Sequence, residues 1–343
     1  MKDTVVVCLW LATLLTAGIS CSKTPESDQV ITLSYSIFFP ATHSQCEAAA
    51  AWTREIEANT GGRVKIDIFP GGTLTKADET YNAVVSGIAD IGMSCFAYNR
   101  GRFPVMEAVD LPMGYPSGRV ATLAANAFYQ TMRPRELDEV QVLYLHAHGP
   151  GLLHTKKPVK SLDDLQGLKI RSTGLSAKVV SALGGVPVAM PQGATYEALQ
   201  KGVVDGTFAP IETLKGWNQA EVVNSTVDCH QIGYTTGMYV VMNKAKWEAL
   251  PEEVQKVFSE VSQRWIEVHA ETWDSADLEG EEFTVNRGNQ IFSISREEAA
   301  RWTAAVTPVI DEYIQEAQGK GLPGEQAVAE LRKLIREYRA RVQ

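Results

Sequence analysis

Residues 158–174 read PVKSLDDLQGLKIRSTG, and this stretch has the signals of a helix, a turn, a strand and one cation in that order. Ser161 and Asp164 have the spacing of a capping box, which begins a short helix, and Gly167 is of the residue type that commonly ends one. The apolar LKI that follows predicts an interior strand. Arg171 comes where that strand gives way to Ser, Thr and Gly. The stretch therefore predicts an α/β fold with an arginine at the carboxyl edge of a strand.

Arg171 is the first candidate for a binding residue, and Thr173 lies beside it in the same polar segment. Ligands of open α/β sheets bind outside the carboxyl ends of the strands, and a planar guanidinium can hold a carboxylate through two hydrogen bonds. We therefore expect Arg171 to bind an acid. An ordinary surface ion pair is the alternative that the spacing alone leaves open.

Two segments of the chain resemble each other. Residues 81–92 read YNAVVSGIADIG and residues 196–207 read YEALQKGVVDGT, so Tyr, Ala, Gly and Asp recur in register at an offset of 115 (196 minus 81). Each copy follows a strand and a turn that contains Pro and Gly. The repeat predicts two similar α/β lobes, each sending a strand and a loop toward the same place. A chance match is the alternative, because a helix that ends in Gly before a strand is common.

Several side chains are predicted to converge on a cleft between the lobes because they follow the two copies or the first strand, residues 30–37. They are Phe39 and His43 after the first strand, Tyr98 and Phe103 after the first copy, and Phe208, Pro210 and Glu212 after the second. Core packing is the alternative for each aromatic residue, and a helix-start carboxylate is the alternative for Glu212.

Two β-rich segments are predicted to cross between the lobes and to form a hinge. Residues 140–158 read as a long strand interrupted by Gly149, Pro150 and Gly151, and residues 233–243 read as a second β-rich segment. The predicted lobes are residues 30–148 plus 243–282 and residues 149–242 plus 283–318, followed by a terminal helix at residues 323–343.

The amino terminus has the shape of a secretory signal peptide over residues 1–21, with an apolar run too short to span a bilayer comfortably. Cys21 is followed by the polar residues 22–29, which predicts a lipoprotein processing site with a lipid on Cys21 and a flexible spacer after it. A secreted form without lipid is the alternative, since Gly18 stands where a larger aliphatic residue is usual. Both forms are exported.

Composition and motifs exclude several classes of function. A net charge of −9 argues against nucleic acid as a partner. The chain has no Gly-x-Ser-x-Gly, phosphate-binding glycine loop or HExxH motif, which removes the strongest signals for hydrolase, nucleotide and zincin chemistry. His146, His148 and His154 are a candidate zinc site, but no acidic or cysteine ligand has a diagnostic spacing beside them, which favours histidines hydrogen-bonded near the hinge. We predict no metal and no cofactor.

The cysteines and tryptophans of the globular part carry weaker signals. Cys46, Cys95 and Cys229 have no CxxC spacing, so one disulfide and three buried thiols are both consistent with the sequence. Core packing is predicted for five tryptophans: Trp217, Trp247, Trp265, Trp273 and Trp302.

Taken together, these segments resemble the solute-binding proteins of tripartite ATP-independent periplasmic (TRAP) transporters, the DctP family. The resemblance covers nearly all of residues 30–320. Its carriers are FFPATHS at 38–44, TGGRVKIDIFPGGTL at 60–74, GIADIG at 87–92, KKPVKSLDDLQGLKIRSTG at 156–174, YEALQKGVVDG at 196–206 and WEALPEEVQKVF at 247–258.

The resemblance implies an α/β fold of the two-lobed periplasmic solute-binding type, with crossing hinge strands and a long helix along both lobes. It also implies closure over a small organic acid, no catalysis, and delivery to TRAP membrane permease subunits in the periplasm. The family's selectivity arginine, which grips the ligand carboxylate, falls on Arg171.

The chain departs from the family in ways that make the predicted pocket more apolar. Ala209 stands where many members have asparagine, Phe208 replaces a common acidic residue, and no second arginine precedes the KKP motif. We therefore expect an aromatic or other apolar monocarboxylate rather than a sugar acid. Its predicted contacts are the aromatic residues Phe39, Tyr98, Phe208 and Tyr234. An amine, an amino acid or a metal-bridged acid held by Glu212 or the histidines is the alternative, and a secreted enzyme is a more distant one.

Overall fold

The computed structural model describes residues 30–342 and has two β-sheets flanked by helices. The predicted signal peptide, the lipidation of Cys21 and the spacer at residues 22–29 lie outside the described residues. The strands are β1 (Ile31–Ile37), β2 (Val64–Phe69), β3 (Ile91–Cys95), β4 (Val140–Ala147), β5 (Leu152–Thr155), β6 (Lys169–Ser172), β7 (Val186–Ala189), β8 (Gly206–Ala209), β9 (Ser225–Asp228), β10 (Gly237–Asn243) and β11 (Gln290–Ser293).

Twelve α-helices accompany these strands within residues 30–342. They are α1 (Ser44–Asn59), α2 (Thr80–Val85), α3 (Gly118–Met132), α4 (Leu162–Leu165), α5 (Ser176–Ala182), α6 (Thr195–Gln200), α7 (Thr213–Gly216), α8 (Lys244–Ala249), α9 (Glu252–Asn286), α10 (Arg296–Val306), α11 (Pro308–Gly319) and α12 (Gly324–Val342). In this part of the chain, none of the helices has the length and apolar character that crossing a membrane requires.

The two sheets share a plan. The first has the order β2-β1-β3-β10-β4 and the second the order β11-β9-β5-β8-β6-β7. In each, three parallel strands (β2-β1-β3 and β7-β6-β8) are followed by an antiparallel neighbour, β10 or β5. The bounds of α2 and of the start of β3 recur 115 residues later in α6 and β8. The internal repeat therefore marks two lobes of like construction, and the predicted fold class is confirmed.

The stretch around Arg171 folds largely as its sequence predicts. Ser161 and Asp164 form the capping box of α4, and Gly167 adopts the left-handed conformation (φ +73°) that follows a helix end. One detail differs, because β6 runs to Ser172 and so includes Arg171 instead of ending before it.

The chain crosses between the sheets at the two predicted places. β4 belongs to the first sheet and β5 to the second, with Gly149, Pro150 and Gly151 between them. A side chain at Gly151 would not fit, since a Cβ atom there would stand 1.8 Å from the Tyr234 ring. The return crossing lies between β9 and β10.

The predicted boundary at residue 243 is too late. β10 pairs with β3 and β4 in the first sheet, so the chain has returned to the first lobe by Gly237. A run of apolar residues predicts a strand but does not tell which sheet will accept its hydrogen bonds, which is why the sequence placed β10 in the second lobe.

Helix α9 connects the lobes along their length. Its 35 residues pack on α1, α3 and β4 of the first lobe and on α7 and β11 of the second. Gly280 lets the helix approach the second lobe closely, because a Cβ atom there would lie 2.7 Å from the Ile211 carbonyl oxygen. The expected long helix along both lobes is thus present.

Candidate functional site

A cavity lies between the two lobes, beside the crossings. Its volume, including the part open to solvent, is about 380 Å³. Seven of the predicted site residues line it: Phe39, Tyr98, Arg171, Thr173, Pro210, Glu212 and Tyr234. The other lining residues include Phe38, Cys95, His148, Gln192, Ala209, Trp217, Thr236, Met238 and Trp273.

Arg171 is the cation of this cavity. Its side chain is 5% exposed, and its Nε donates a hydrogen bond to the Met190 carbonyl oxygen at 3.1 Å. No Asp or Glu within residues 30–342 comes within 4 Å of its guanidinium. A buried charge without an acidic partner is costly, so this position favours an anionic ligand.

Aromatic rings form one wall of the cavity. Phe38 lies against Phe39 (centroids 4.1 Å apart), stacks on Trp217 (6.2 Å, 15°) and meets Tyr98 edge to face (5.7 Å). Trp217 was expected in the core, but it lines this wall, and its Nε1 is buried with no hydrogen-bond partner among the described residues. The wall can hold a flat apolar group and offers it one free N–H donor.

The structure places Phe208 behind the cavity instead of in its lining. Phe208 is 1% exposed and stacks on Tyr234 with ring centroids 4.7 Å apart, while the Tyr234 hydroxyl donates to the Phe208 carbonyl oxygen at 2.7 Å. Successive side chains of a strand point to opposite faces, so Ala209 faces the cavity and Phe208 does not. The expected direct contact of Phe208 is therefore corrected to a supporting role for Tyr234.

His43 and Glu212 connect the two lobes beneath the cavity. His43 caps α1 by accepting a hydrogen bond at Nδ1 from the Gln45 N–H (3.2 Å), so its Nε2 carries the hydrogen that is donated to Glu212 Oε2 at 2.9 Å. The Glu212 N–H donates in turn to Asp277 Oδ1 at 3.1 Å. Burial and the Glu212 charge raise the pKa of Asp277. His43 itself is not among the lining residues and acts on the cavity through Glu212.

Gln192 adds a donor near Arg171 that the sequence did not reveal. Its backbone N–H donates to the Tyr98 hydroxyl at 3.1 Å, and its Nε2 is buried with no partner among the described residues. Burial raises the pKa of Tyr98, so this phenol is neutral at pH 7. A ligand carboxylate at Arg171 would thus find a neutral amide donor close by.

The three histidines proposed as an alternative zinc site have separate partners. His146 accepts from Trp273 Nε1 at 3.1 Å, and His154 bonds the Thr226 hydroxyl and the Ala209 carbonyl. His148 Nδ1 lies 2.5 Å from the Gly149 carbonyl oxygen. Within residues 30–342, no group of three His, Cys, Asp or Glu side chains has a geometry that could hold a metal ion.

Phe103 and the cysteines also have clear places. Phe103 is buried against Tyr81 and Phe96 in the core and does not line the cavity. The three described cysteines are buried free thiols, and one of them, Cys95, lines the cavity.

Comparisons with known proteins show the family to which the chain belongs. Residues 35–316 match the family of bacterial extracellular solute-binding proteins, family 7 (DctP). The chain is similar to a TRAP periplasmic solute-binding protein from Desulfovibrio salexigens DSM2638 in an open complex, with 33% identity, a TM-score of 0.79 and coverage of 90% of this chain and 96% of that one.

Two other solved structures contain aromatic acids. A TRAP solute-binding protein from Rhodoferax ferrireducens T118, in complex with copurified benzoate, is 27% identical with a TM-score of 0.87 over 92% of this chain and 100% of that one. One from a marine metagenome, specific for aromatic acid ligands and bound to 3-hydroxybenzoate, is 30% identical with a TM-score of 0.86 over 90% of this chain and 99% of that one.

Proposed function

Because the chain belongs to the DctP family of TRAP solute-binding proteins for organic acids, we propose that its own ligand is an aromatic monocarboxylate. The carboxylate binds Arg171, and the ring lies against the wall of Phe38, Phe39 and Trp217. The protein then delivers the acid to the permease subunits of its transporter without altering it chemically.

The observation that carries this proposal is the charge distribution of the cavity. Among the described residues that line the cavity, one is a Lys or Arg, namely Arg171, and one is an Asp or Glu, namely Glu212. A second carboxylate on the ligand would have to lie in the same small cavity as Glu212, which is unfavourable in a buried site. A monocarboxylate satisfies Arg171 without this repulsion. The remaining affinity then comes from the burial and stacking of an apolar group.

The solved relatives support the aromatic class. Benzoate copurified with the Rhodoferax ferrireducens protein, and the marine metagenome protein holds 3-hydroxybenzoate. Both resemble this chain over about nine tenths of its length. Their ligands combine one carboxylate with one ring, which is the combination that Arg171 and the aromatic wall favour.

An amino acid is a second candidate, and Glu212 favours it. A zwitterion could place its carboxylate at Arg171 and its ammonium near the Glu212 carboxylate. Against this, Glu212 Oε2 already accepts a hydrogen bond from His43, which leaves one oxygen for a ligand.

We also propose that the two lobes close over the ligand about the two crossings, and that Cys21 carries a lipid that anchors the protein to a membrane in the periplasm. The first proposal rests on the position of the cavity beside the crossings. The second rests on the sequence around Cys21.

A thermal-shift screen followed by calorimetry tests the ligand class, because a ligand that binds the folded state raises the melting temperature. Benzoate and phenylacetate should raise it, while succinate, glucuronate and phenylalanine should raise it little or not at all. Mass spectrometry of the ligand before and after incubation should find it unchanged. A shift with dicarboxylates or sugar acids, and none with aromatic monocarboxylates, would contradict the proposal, and a shift with phenylalanine alone would favour the amino acid.

A further inference from the structure

His148 lines the cavity immediately after β4, at the start of the first crossing. Its side chain is 4% exposed. The ring meets Tyr234 edge to face (centroids 5.6 Å apart, 86°) and Trp273 in a similar way (6.2 Å, 69°). Two large neighbours therefore fix the orientation of the imidazole, and the position of each nitrogen is defined.

The hydrogen bond at Nδ1 determines the tautomer. Nδ1 lies 2.5 Å from the Gly149 carbonyl oxygen, and a carbonyl oxygen only accepts, so Nδ1 carries the hydrogen. Burial, together with the nearby charge of Arg171, lowers the pKa of His148 to about 4, and the ring is neutral at pH 7. Nε2 is then a hydrogen-bond acceptor, and the described residues give it no donor.

Resting on the proposed function, we propose that His148 Nε2 accepts a hydrogen bond from a ligand hydroxyl next to the carboxylate, so that the protein prefers 2-hydroxy acids to 2-oxo acids. Arg171 and His148 line the same cavity and both lie near Tyr234. When Arg171 holds the ligand carboxylate, we expect the carbon next to that carboxylate to lie near His148 and Tyr234. A hydroxyl on this carbon can donate to His148 Nε2. A keto oxygen has no hydrogen to donate, so its lone pair would face the lone pair of Nε2.

The discrimination arises because the wrong ligand would cover His148 Nε2 without giving it a hydrogen-bond donor. Sites built to hydrogen-bond a substrate hydroxyl reject analogues that lack it more strongly than apolar pockets reject a change of size. Gln192 and Trp217 supply N–H donors elsewhere in the cavity, so acceptor groups of the ligand have partners there. With its hydrogen on Nδ1, His148 can only accept a hydrogen bond at Nε2.

Calorimetry with matched ligand pairs tests the proposal. For the wild-type protein, the tighter enantiomer of mandelate should bind at least tenfold more strongly than phenylglyoxylate, its 2-oxo counterpart. His148→Phe keeps an aromatic ring between Tyr234 and Trp273 but removes the acceptor, and it should reduce this ratio to about twofold or less. His230→Phe, at an exposed histidine outside the cavity, is the matched control and should keep the wild-type ratio.

The outcomes separate this inference from the proposed function. The aliphatic pair 2-hydroxyisocaproate and 2-oxoisocaproate is measured in parallel. If aromatic acids bind but neither pair shows a hydroxyl preference in the wild type, His148 does not select for a donor and the aromatic function stands. If only the aliphatic pair binds and shows the preference, the aromatic class is wrong and the role of His148 stands. A ratio that survives His148→Phe overturns the inference, and the wild-type ratios decide it if that variant does not fold.

Discussion

Replacing Arg171 by Met tests the central contact of the site. Methionine keeps much of the apolar stem of arginine and removes the guanidinium. In the folded protein the arginine is 5% exposed and bonds the Met190 carbonyl without an acidic partner among the described residues. The substitution should weaken ligand binding above all, because the ligand carboxylate would be buried with no cation beside it.

The size of the loss follows from that burial. Breaking a buried ion pair by removing one partner costs about 3–5 kcal/mol. At about 1.4 kcal/mol for each tenfold change, the dissociation constant should weaken by roughly two to three and a half decades. Arg171→Lys should fall between the wild type and Arg171→Met, since an ammonium keeps the charge but cannot hold a carboxylate as a planar fork does.

Stability and affinity should respond in opposite directions. Without ligand, Arg171→Met should melt at the wild-type temperature or above it, because the variant no longer buries an unpaired charge. The rise in melting temperature on adding an aromatic monocarboxylate should be lost. Calorimetry gives the affinities, and Arg296→Met, at an exposed arginine of α10, is the control. A loss of affinity below tenfold, or an equal loss in the control, would refute the assignment of Arg171 as the anchor.

Three further predictions concern support, pH and anchoring. Phe208→Ala should lower the free energy of unfolding by about 3–5 kcal/mol, because it leaves a cavity behind Tyr234; weaker ligand binding at unchanged stability would contradict the supporting role. Burial lowers the pKa of His154 from its ordinary value of 6.5 to about 4. Between these two pH values the unfolded chain therefore binds more protons than the folded one. The free energy of unfolding should fall as the pH falls through that range. Urea titrations should show a shallower fall for His154→Gln and the wild-type fall for the exposed His230→Gln. Cys21→Ser should move the protein from the membrane fraction to the soluble fraction, a prediction that fails if the wild type is already soluble and carries no lipid mass.

Local patterns predicted much of the architecture, because each depends on neighbours in the chain. The capping box of Ser161 and Asp164 needs only a turn of helix, and the left-handed conformation of Gly167 follows from its lack of a Cβ atom. The repeat at an offset of 115 works in the same way, since the same residue types start the same helix and strand in each lobe. The position of Arg171 at the edge of the sheet that faces the cavity follows once β6 is recognised.

The direction in which each side chain points was harder to predict, since it depends on partners far away in the chain. In β8 all four residues are buried, so alternation of polar and apolar residues cannot tell that Ala209 faces the cavity and Phe208 does not. Gln192 begins a 3₁₀ helix and Trp217 directly follows α7, and each contacts the opposite lobe, Gln192 through Tyr98 and Trp217 through Phe38. His148 was noticed in the sequence with two other histidines, but the interpretation that the spacing favoured was a histidine hydrogen-bonded near the hinge, which does not predict a ligand contact.

Helix α9 packs on both lobes as a single rod, so the proposed closure should depend on the stiffness of this helix. At about 1.5 Å per residue its 35 residues extend about 50 Å, with most of that length seated on the first lobe and the region of Gly280 pressed on the backbone of Ile211 and Glu212. If the lobes open about the two crossings as proposed, this rod must bend or its contact near Gly280 must break. The proposed opening therefore costs energy where Gly280 contacts the backbone of Ile211 and Glu212, and the lifetime of the bound state should depend on the stiffness of the helix as well as on the contacts in the cavity.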